Sequence, residues 1–400
     1  MPRGDAIVRW LRLGWIGGER LRGYAQILLL VSIASFYGSY MQATGPTGSD
    51  FLAFWSAGRL AVAGKAGAVY DIAATGAVQA ALGRHDVFAF VNPPPFILFT
   101  IPLGLAGFVA AWCGWIASTY ALWLLAARRL DRSLFWPIAA FPGALVAGWH
   151  AQTGLLTGAL MAGAAVLLHK RPAAAGLCIG ALIIKPHLAL LFPIALVAGG
   201  HWRAVWSAAA TMAGLLLITA VLLGTDTLFN YRQSWAVSRY LMDTGDAAFF
   251  LRQCTVYAAV RVALSPLAGA IAQGIVTLAL AAATGRVWAS RTALEGKFAF
   301  LLAAVPLATP YLFNYDLAFL IVPTIWLIVQ ARDHPRGGWE RPLLLLFYLA
   351  PLWTRALALP LGANLAPWVQ FAMLWTVWRR LRVPMQGQPQ ESQPSEAGNS

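Results

Sequence analysis

Residues 48–71 read GSDFLAFWSAGRLAVAGKAGAVYD, and the sequence FVNPPPF at residues 90–96 leads from there back into an apolar run. The first stretch directly follows the first long apolar run of the chain, and its own apolar residues recur at helical spacing. Asp71 is placed to cap a second short helix. We therefore predict a structured loop over residues 42–93, with two short amphipathic helices at a membrane interface.

The composition of the whole chain is typical of a membrane protein. Of its 400 residues 59% are hydrophobic and 11% are charged, and its mean hydropathy is +0.65. Soluble domains carry about 25% charged residues. Apolar runs close to the length of a membrane-spanning helix recur along the sequence, whereas a β-barrel would show short alternating segments. We predict an all-α polytopic membrane protein with about 11–13 transmembrane helices.

The basic residues indicate a membrane topology rather than a nucleic-acid partner. The net charge is +14, and Lys and Arg cluster in short loops between apolar runs, where they mark the cytoplasmic side. We predict a cytoplasmic N-terminus (1–23), an integral membrane domain (24–383) and a disordered cytoplasmic tail (384–400). The outer loops are then 42–93 and a long loop at 224–262. The expected location is a bacterial cytoplasmic (inner) membrane.

Polar and ionisable residues recur in the loops of this predicted outer face. Such residues are costly at membrane depth, and they indicate function by default. We take them as the candidate site, which comprises Asp50, Asn92, Gln152, Lys185, His187, Arg252, Tyr311, Asn314, Tyr315 and Asp316.

Each of these residues also has a structural interpretation. Asp50 and Asp316 each precede an apolar helix and could act as helix caps. Lys185 could extend its ammonium group to the interface. His187 could be a packed core residue, and Gln152 could satisfy backbone amides at a helix start. Only their common location on one predicted face favours a functional site.

Motifs of soluble enzymes are absent from the sequence. It contains no P-loop, dinucleotide-binding fingerprint, HExxH or GxSxG. The chain has no cytoplasmic domain for a nucleotide-sugar donor, so a lipid-borne substrate fits it better. A transporter or flippase for a lipid-linked sugar is the alternative. That alternative predicts internal repeats and mid-membrane ionisable residues, which the sequence does not show.

Several motifs occur together in an order that resembles glycosyltransferase family 87. They run from Asp50 to Asp316 and comprise SDFLAFWSAGRLAVAG, VYD, NPPPF, AQTGLLTGAL, KPHLALLFPIAL, TVYAAVR and ATPYLFNYDLA. The resemblance implies a GT-C-type helical bundle and a hexosyltransferase. Its donor would be a polyprenyl-phosphate-linked sugar, with mannose as the leading candidate, and its acceptor a lipid or glycan.

The resemblance also implies roles for individual residues. Asp50 matches the catalytic acid of the first outer loop and would serve as general base of an inverting transfer. Lys185, Arg252 and His187 would bind the donor phosphate. The sugar or acceptor would contact Asn92, Gln152, Tyr311, Asn314, Tyr315 and Asp316. No metal and no cofactor is expected, and membrane lipids are the surrounding partners.

The chain departs from the family pattern at one position. The resemblance implies a glycine before Gln152, but the sequence has Ala151 there. This departure affects the inference for the Gln152 loop more than the inference for Asp50.

Overall fold

The computed structural model describes residues 17–382, and this part of the chain folds into α-helices and short 3-10 helices without a β-sheet. In chain order the first ten α-helices are α1 (Gly18–Thr44), α2 (Phe51–Val62), α3 (Ile72–Ala80), α4 (Pro95–Leu105), α5 (Phe108–Ala127), α6 (Phe135–Ala139), α7 (Pro142–Trp149), α8 (Gly154–Leu167), α9 (Pro172–Ala181) and α10 (Phe192–Ala198). The next ten are α11 (Trp202–Leu223), α12 (Thr225–Asn230), α13 (Arg232–Thr244), α14 (Ala247–Leu251), α15 (Val256–Ala263), α16 (Pro266–Ala289), α17 (Leu294–Ala308), α18 (Ile321–Asp333), α19 (Glu340–Leu361) and α20 (Ala366–Arg382).

Six segments in residues 17–382 are long and apolar enough to cross a membrane. They are α1, α5, α11, α16, α19 and the helical segment Asn314–Asp333, which ends with α18. The prediction of an all-α polytopic membrane protein is thereby confirmed. Further apolar helices, such as α4 and α8, have only 10–17 residues, which is short for a bilayer core of about 30 Å. The number of 11–13 crossings therefore stays a prediction.

The first outer loop contains the two short helices that the sequence predicts, but the first of them is buried. Most side chains of α2 are buried, and they pack against α4. A Cβ atom on Gly58 would lie 2.1 Å from the carbonyl oxygen of Thr100, so α2 and α4 touch through their backbones. The apolar residues of α2 cover most of its circumference, so this helix packs inside the protein, and its position relative to the membrane interface stays a prediction. Asp71 caps α3 as predicted, accepting a hydrogen bond of 2.9 Å from the amide of Ala73.

The long loop predicted at 224–262 is also helical. It forms α12, α13, α14 and α15. At its start Asn230 donates a hydrogen bond of 2.9 Å to the carbonyl of Gly67, and the ring of Tyr231 lies 5.6 Å from that of Tyr70. The two predicted outer loops therefore contact each other. The predicted properties of residues 1–16 and 383–400, which include the disordered tail, lie outside the described residues.

A close backbone contact brings distant parts of the chain together at the end of the bundle that holds Asp50. A Cβ atom on Gly154, at the start of α8, would lie 1.9 Å from the carbonyl oxygen of Tyr315. The 3-10 helix Asn314–Leu320 can therefore lie directly against α7 and α8. This contact places Gln152 and Thr153 beside Tyr315 and Asp316.

Candidate active site

Asp50 directly precedes α2 but does not cap it. Its backbone has φ −52° and ψ −26°, and its side chain makes no capping hydrogen bond. A capping residue needs an extended backbone to turn its side chain toward the first helical amides. The half-buried carboxylate instead accepts a hydrogen bond of 2.9 Å at Oδ2 from Nε2 of Gln152. The geometry therefore removes helix capping as the explanation for Asp50.

The turn between α7 and α8 aims Gln152 at Asp50. Ala151 has φ +48°, the left-handed region, and it is the one residue other than glycine with positive φ in residues 17–382. Its amide donates to the carbonyl of Gly148 at 2.9 Å, and the amide of Gln152 donates to the carbonyl of Ala147 at 3.2 Å. This pair of bonds is the Schellman motif, which favours glycine at its left-handed position. The glycine implied by the family resemblance thus has a physical role, and Ala151 adopts its conformation with strain.

Both polar atoms of the Gln152 side chain form hydrogen bonds. Its Oε1 accepts the amide of Thr153 at 3.3 Å, while its Nε2 donates to Asp50. Because an ionised carboxylate only accepts hydrogen bonds, this arrangement fixes the orientation of the amide group. Gln152 therefore restrains the direction in which the Asp50 carboxylate points.

Lys185 and Asp316 form a buried ion pair beside this contact. Lys185 Nζ lies 2.5 Å from Asp316 Oδ1, with the two side chains 11% and 1% exposed. Lys185 also lies 3.4 Å from Thr153 Oγ1, and the second carboxylate oxygen of Asp316 accepts the amide of Phe313 at 3.3 Å. Lys185 therefore does not extend to an interface. Its charge is compensated within the protein.

Tyr311 and Tyr315 lie within electrostatic range of both carboxylates, Asp50 and Asp316. The ammonium group of Lys185 lies 5.5 Å from the centroid of the Tyr315 ring. Burial, together with the nearby carboxylates of Asp316 and Asp50, raises the pKa of Tyr311 above its ordinary value. Its hydroxyl group stays neutral and can donate a hydrogen bond to a ligand. One polar cluster therefore joins Asp50, Gln152, Lys185 and Asp316 to both tyrosines.

His187, Asn92 and Asn314 lie at the edge of this cluster. The ring of His187 meets the ring of Tyr311 edge-on at 6.2 Å, and its Nε2 is buried without a hydrogen-bond partner among residues 17–382. Asn92 Nδ2 lies 3.5 Å from the carbonyl of Ile184, the residue before Lys185. Asn314 is buried at the start of the 3-10 helix that carries Asp316. All three therefore border the cluster.

The two residues that follow Arg252 connect this part of the chain to the cluster. Gln253 forms an isolated antiparallel bridge with Phe313, and the amide of Cys254 donates to the carbonyl of Leu312 at 2.7 Å. The Arg252 side chain itself is exposed. Burial raises the pKa of the Cys254 thiol to about 12, so this cysteine is not a thiolate nucleophile.

The structure adds two residues to the candidate site. Thr153, a polar neighbour of Gln152 on the same predicted face, links Gln152 to Lys185. The sequence prediction missed Arg355 on α19, which lies within electrostatic range of Tyr315 and Arg252. Arg355 is a half-buried cation in an apolar helix, which is a recognisable signal. No group of three or more His, Cys, Asp or Glu side chains in residues 17–382 is arranged to hold a metal ion. The absence of a metal from the reaction stays a prediction.

The fold and the site define a polytopic α-helical membrane protein with an acidic and cationic polar cluster at one end of its bundle. The profile of glycosyltransferase family 87 matches residues 90–310, which is more than half of the chain. The chain therefore belongs to glycosyltransferase family 87, and the family prediction is confirmed. No curated protein and no solved structure matches it. Asp50 and residues 311–316 lie outside the matched segment, so their roles depend on the geometry described above.

Proposed function

We propose that this membrane glycosyltransferase moves a hexose, with mannose the leading candidate, from a polyprenyl-phosphate-linked donor to a lipid or glycan acceptor. The transfer takes place at the outer face of a bacterial cytoplasmic membrane. The observation that carries this proposal is the Asp50 carboxylate. It does not cap α2, it is oriented by Gln152, and it lies in one polar cluster with Lys185 and Asp316.

Asp50 is the general base in this proposal. Its carboxylate takes the proton of an acceptor hydroxyl while that oxygen attacks the anomeric carbon of the donor. The bond between the anomeric carbon and the phosphate oxygen breaks, and its electron pair leaves with polyprenyl phosphate. One displacement inverts the anomeric configuration. The proton remains on Asp50 until water removes it.

Charge develops on the departing phosphate, and cations near it lower the barrier. Arg252 is the first candidate, and no carboxylate lies within salt-bridge distance of it in residues 17–382. Lys185 is a second candidate, and His187, whose ring contacts that of Tyr311, is a third. A bound phosphate would compete with Asp316 for the ammonium group of Lys185. Asn92, Asn314 and the two tyrosines supply neutral polar groups for the sugar or acceptor hydroxyls, whereas both polar atoms of Gln152 are engaged by Asp50 and Thr153.

The location of the cluster supports a substrate carried by a lipid. Its residues lie at the ends of apolar helices, and the short helix α2, which follows Asp50, packs inside the bundle. A polyprenyl chain can reach such a site from within the bilayer. A transporter would instead be expected to place its ionisable groups between two repeats near mid-membrane.

A donor assay with purified protein in lipid nanodiscs tests this proposal. The probes are short-chain polyprenyl phosphates that carry mannose, glucose or galactose, with a bacterial membrane lipid extract as acceptor source. We expect release of polyprenyl phosphate from one donor and a product of inverted anomeric configuration. Movement of the intact donor across the bilayer of sealed vesicles, without release of polyprenyl phosphate, would instead support the flippase.

A further inference from the structure

Two arginines lie together where the long outer loop meets α19. Arg252 follows α14 directly, and Arg355 lies on α19, against which α14 packs. Just beyond α19, Asn364 Nδ2 donates a hydrogen bond of 2.6 Å to the carbonyl of Gln253. Arg252 and Arg355 therefore lie on packed neighbouring elements, where their like charges are unfavourable for each other.

Neither arginine has a carboxylate within salt-bridge distance in residues 17–382. Elsewhere in this part of the chain, Arg332 pairs with Asp131 and Arg380 pairs with Glu340. Arg355 is also half-buried, so water compensates its charge only in part. Two adjacent like charges without a counter-ion are unfavourable, and a bound anion would relieve the repulsion.

The arginine pair adjoins the candidate active site. Gln253 and Cys254 are bonded to the chain at Phe313 and Leu312, and α19, which carries Arg355, packs against the 3-10 helix Asn314–Leu320. Lys185, the other cation of the cluster, is already neutralised by Asp316. Arg252 and Arg355 therefore contribute positive charge beside the site that no carboxylate of residues 17–382 compensates.

We propose that Arg252 and Arg355 together form the subsite for the phosphate group of the lipid-linked donor. Guanidinium groups match phosphate oxygens with paired hydrogen bonds, and two of them can hold the phosphate from two sides. Arg355 thereby joins the site as a binding residue from a helix outside the segment that the family profile matches. The identification of the anion as a sugar donor rests on the proposed function. The anion subsite itself rests on the packing of α14 against α19 and on the lack of a carboxylate partner for either arginine in residues 17–382.

Binding of short-chain polyprenyl phosphate to purified protein in detergent tests the subsite without any turnover. The variants are Arg252→Gln, Arg355→Gln and both together. Arg239→Gln is the matched control, because Arg239 is an exposed arginine on α13 in the same loop. We expect each variant to weaken binding about tenfold or more, from the loss of charge-assisted hydrogen bonds, with Arg239→Gln unchanged. Arg355→Lys should retain part of the affinity, because it keeps the charge but loses the paired geometry.

The repulsion between the arginines gives a second readout. Arg355→Gln should leave the melting temperature of the unliganded protein equal or higher, while it reduces the increase in melting temperature produced by polyprenyl phosphate. Unchanged binding in the double variant would overturn the subsite. Equally strong binding of inorganic phosphate alone would overturn its assignment to a lipid-linked phosphate.

The subsite and the proposed function can fail separately. Arginine-dependent binding of polyprenyl phosphate in a protein that transfers no sugar would support the subsite and contradict the function. Sugar transfer with an unchanged KM for the donor in the double variant would support the function and contradict the subsite.

Discussion

Gln152 donates a hydrogen bond of 2.9 Å to Asp50 across 102 positions of sequence. This bond replaces the helix cap that the position of Asp50 suggests, and it holds the carboxylate in one direction. A base that must take a proton in one geometry gains from such restraint. Gln152 is therefore a positioning residue, one step removed from the reacting atoms.

Gln152→Leu should lower kcat at least tenfold and change the KM for the donor little, because the carboxylate loses its orientation while donor contacts remain. Gln152→Glu should move the acidic limb of the pH–rate profile to higher pH, because two carboxylates at this distance resist joint ionisation. Steady-state kinetics over a pH series measures both effects. An unshifted profile for Gln152→Glu would show that the contact with Asp50 does not exist in the working enzyme.

The buried pair of Lys185 and Asp316 predicts non-additive stability changes. Lys185→Met should destabilise the protein by about 3–5 kcal/mol, because it leaves a carboxylate buried without its counter-ion. Adding Asp316→Asn should recover most of that loss, since the asparagine carbonyl oxygen can still accept the amide of Phe313. Melting temperatures of the two single variants and the double variant measure the coupling. Simple additivity would contradict the ion pair.

Ala151→Gly should stabilise the protein by up to about 1 kcal/mol, because glycine adopts the left-handed backbone at this position without strain. Part of that gain is offset by the greater freedom of glycine in the unfolded chain. Ala159→Gly on α8 is the matched control, and it should destabilise by a similar amount. The comparison needs only melting temperatures. A decrease for both variants would contradict the left-handed turn.

The sidedness of the site is accessible to labelling in intact cells. In a variant without its three native cysteines, Asp226→Cys in the predicted outer loop should react with a membrane-impermeant maleimide. Lys170→Cys, in a predicted cytoplasmic loop, should react only after the cells are opened. Both positions are exposed, so the side of the membrane on which each lies decides whether it reacts. The reverse pattern would place the Asp50 end of the bundle in the cytoplasm.

The sequence predicts the class of fold and the members of the site better than it predicts their contacts. Hydrophobic runs and the cap at Asp71 are local signals, and both predict the structure correctly. The bonds of Asp50 to Gln152 and of Lys185 to Asp316 join distant segments, so no local pattern reports them. Ala151 gives no sign of its left-handed backbone, because alanine usually avoids that region.

The burial of a helix is also difficult to predict from the sequence of that helix alone. The sequence of α2 has an arginine beside its apolar residues, which suggested a helix at the interface. In the structure Arg59 donates a hydrogen bond of 3.1 Å to the carbonyl of Gly104 while the rest of α2 lies in the core. Arg355 is recognisable in the sequence as a cation in an apolar helix, but the elements that pack against this helix are known only from the structure.

Donor turnover by Asp50→Asn tests the central claim most directly. Asparagine keeps the size of the side chain and its hydrogen bond to Gln152, but it cannot accept a proton. Asp71→Asn, which changes a capping acid in the same loop, is the matched control. We predict that Asp50→Asn lowers kcat by about 10²–10⁴-fold with unchanged melting temperature and polyprenyl phosphate binding, while Asp71→Asn retains its activity. Wild-type turnover in a folded Asp50→Asn variant would contradict the role of Asp50 as general base.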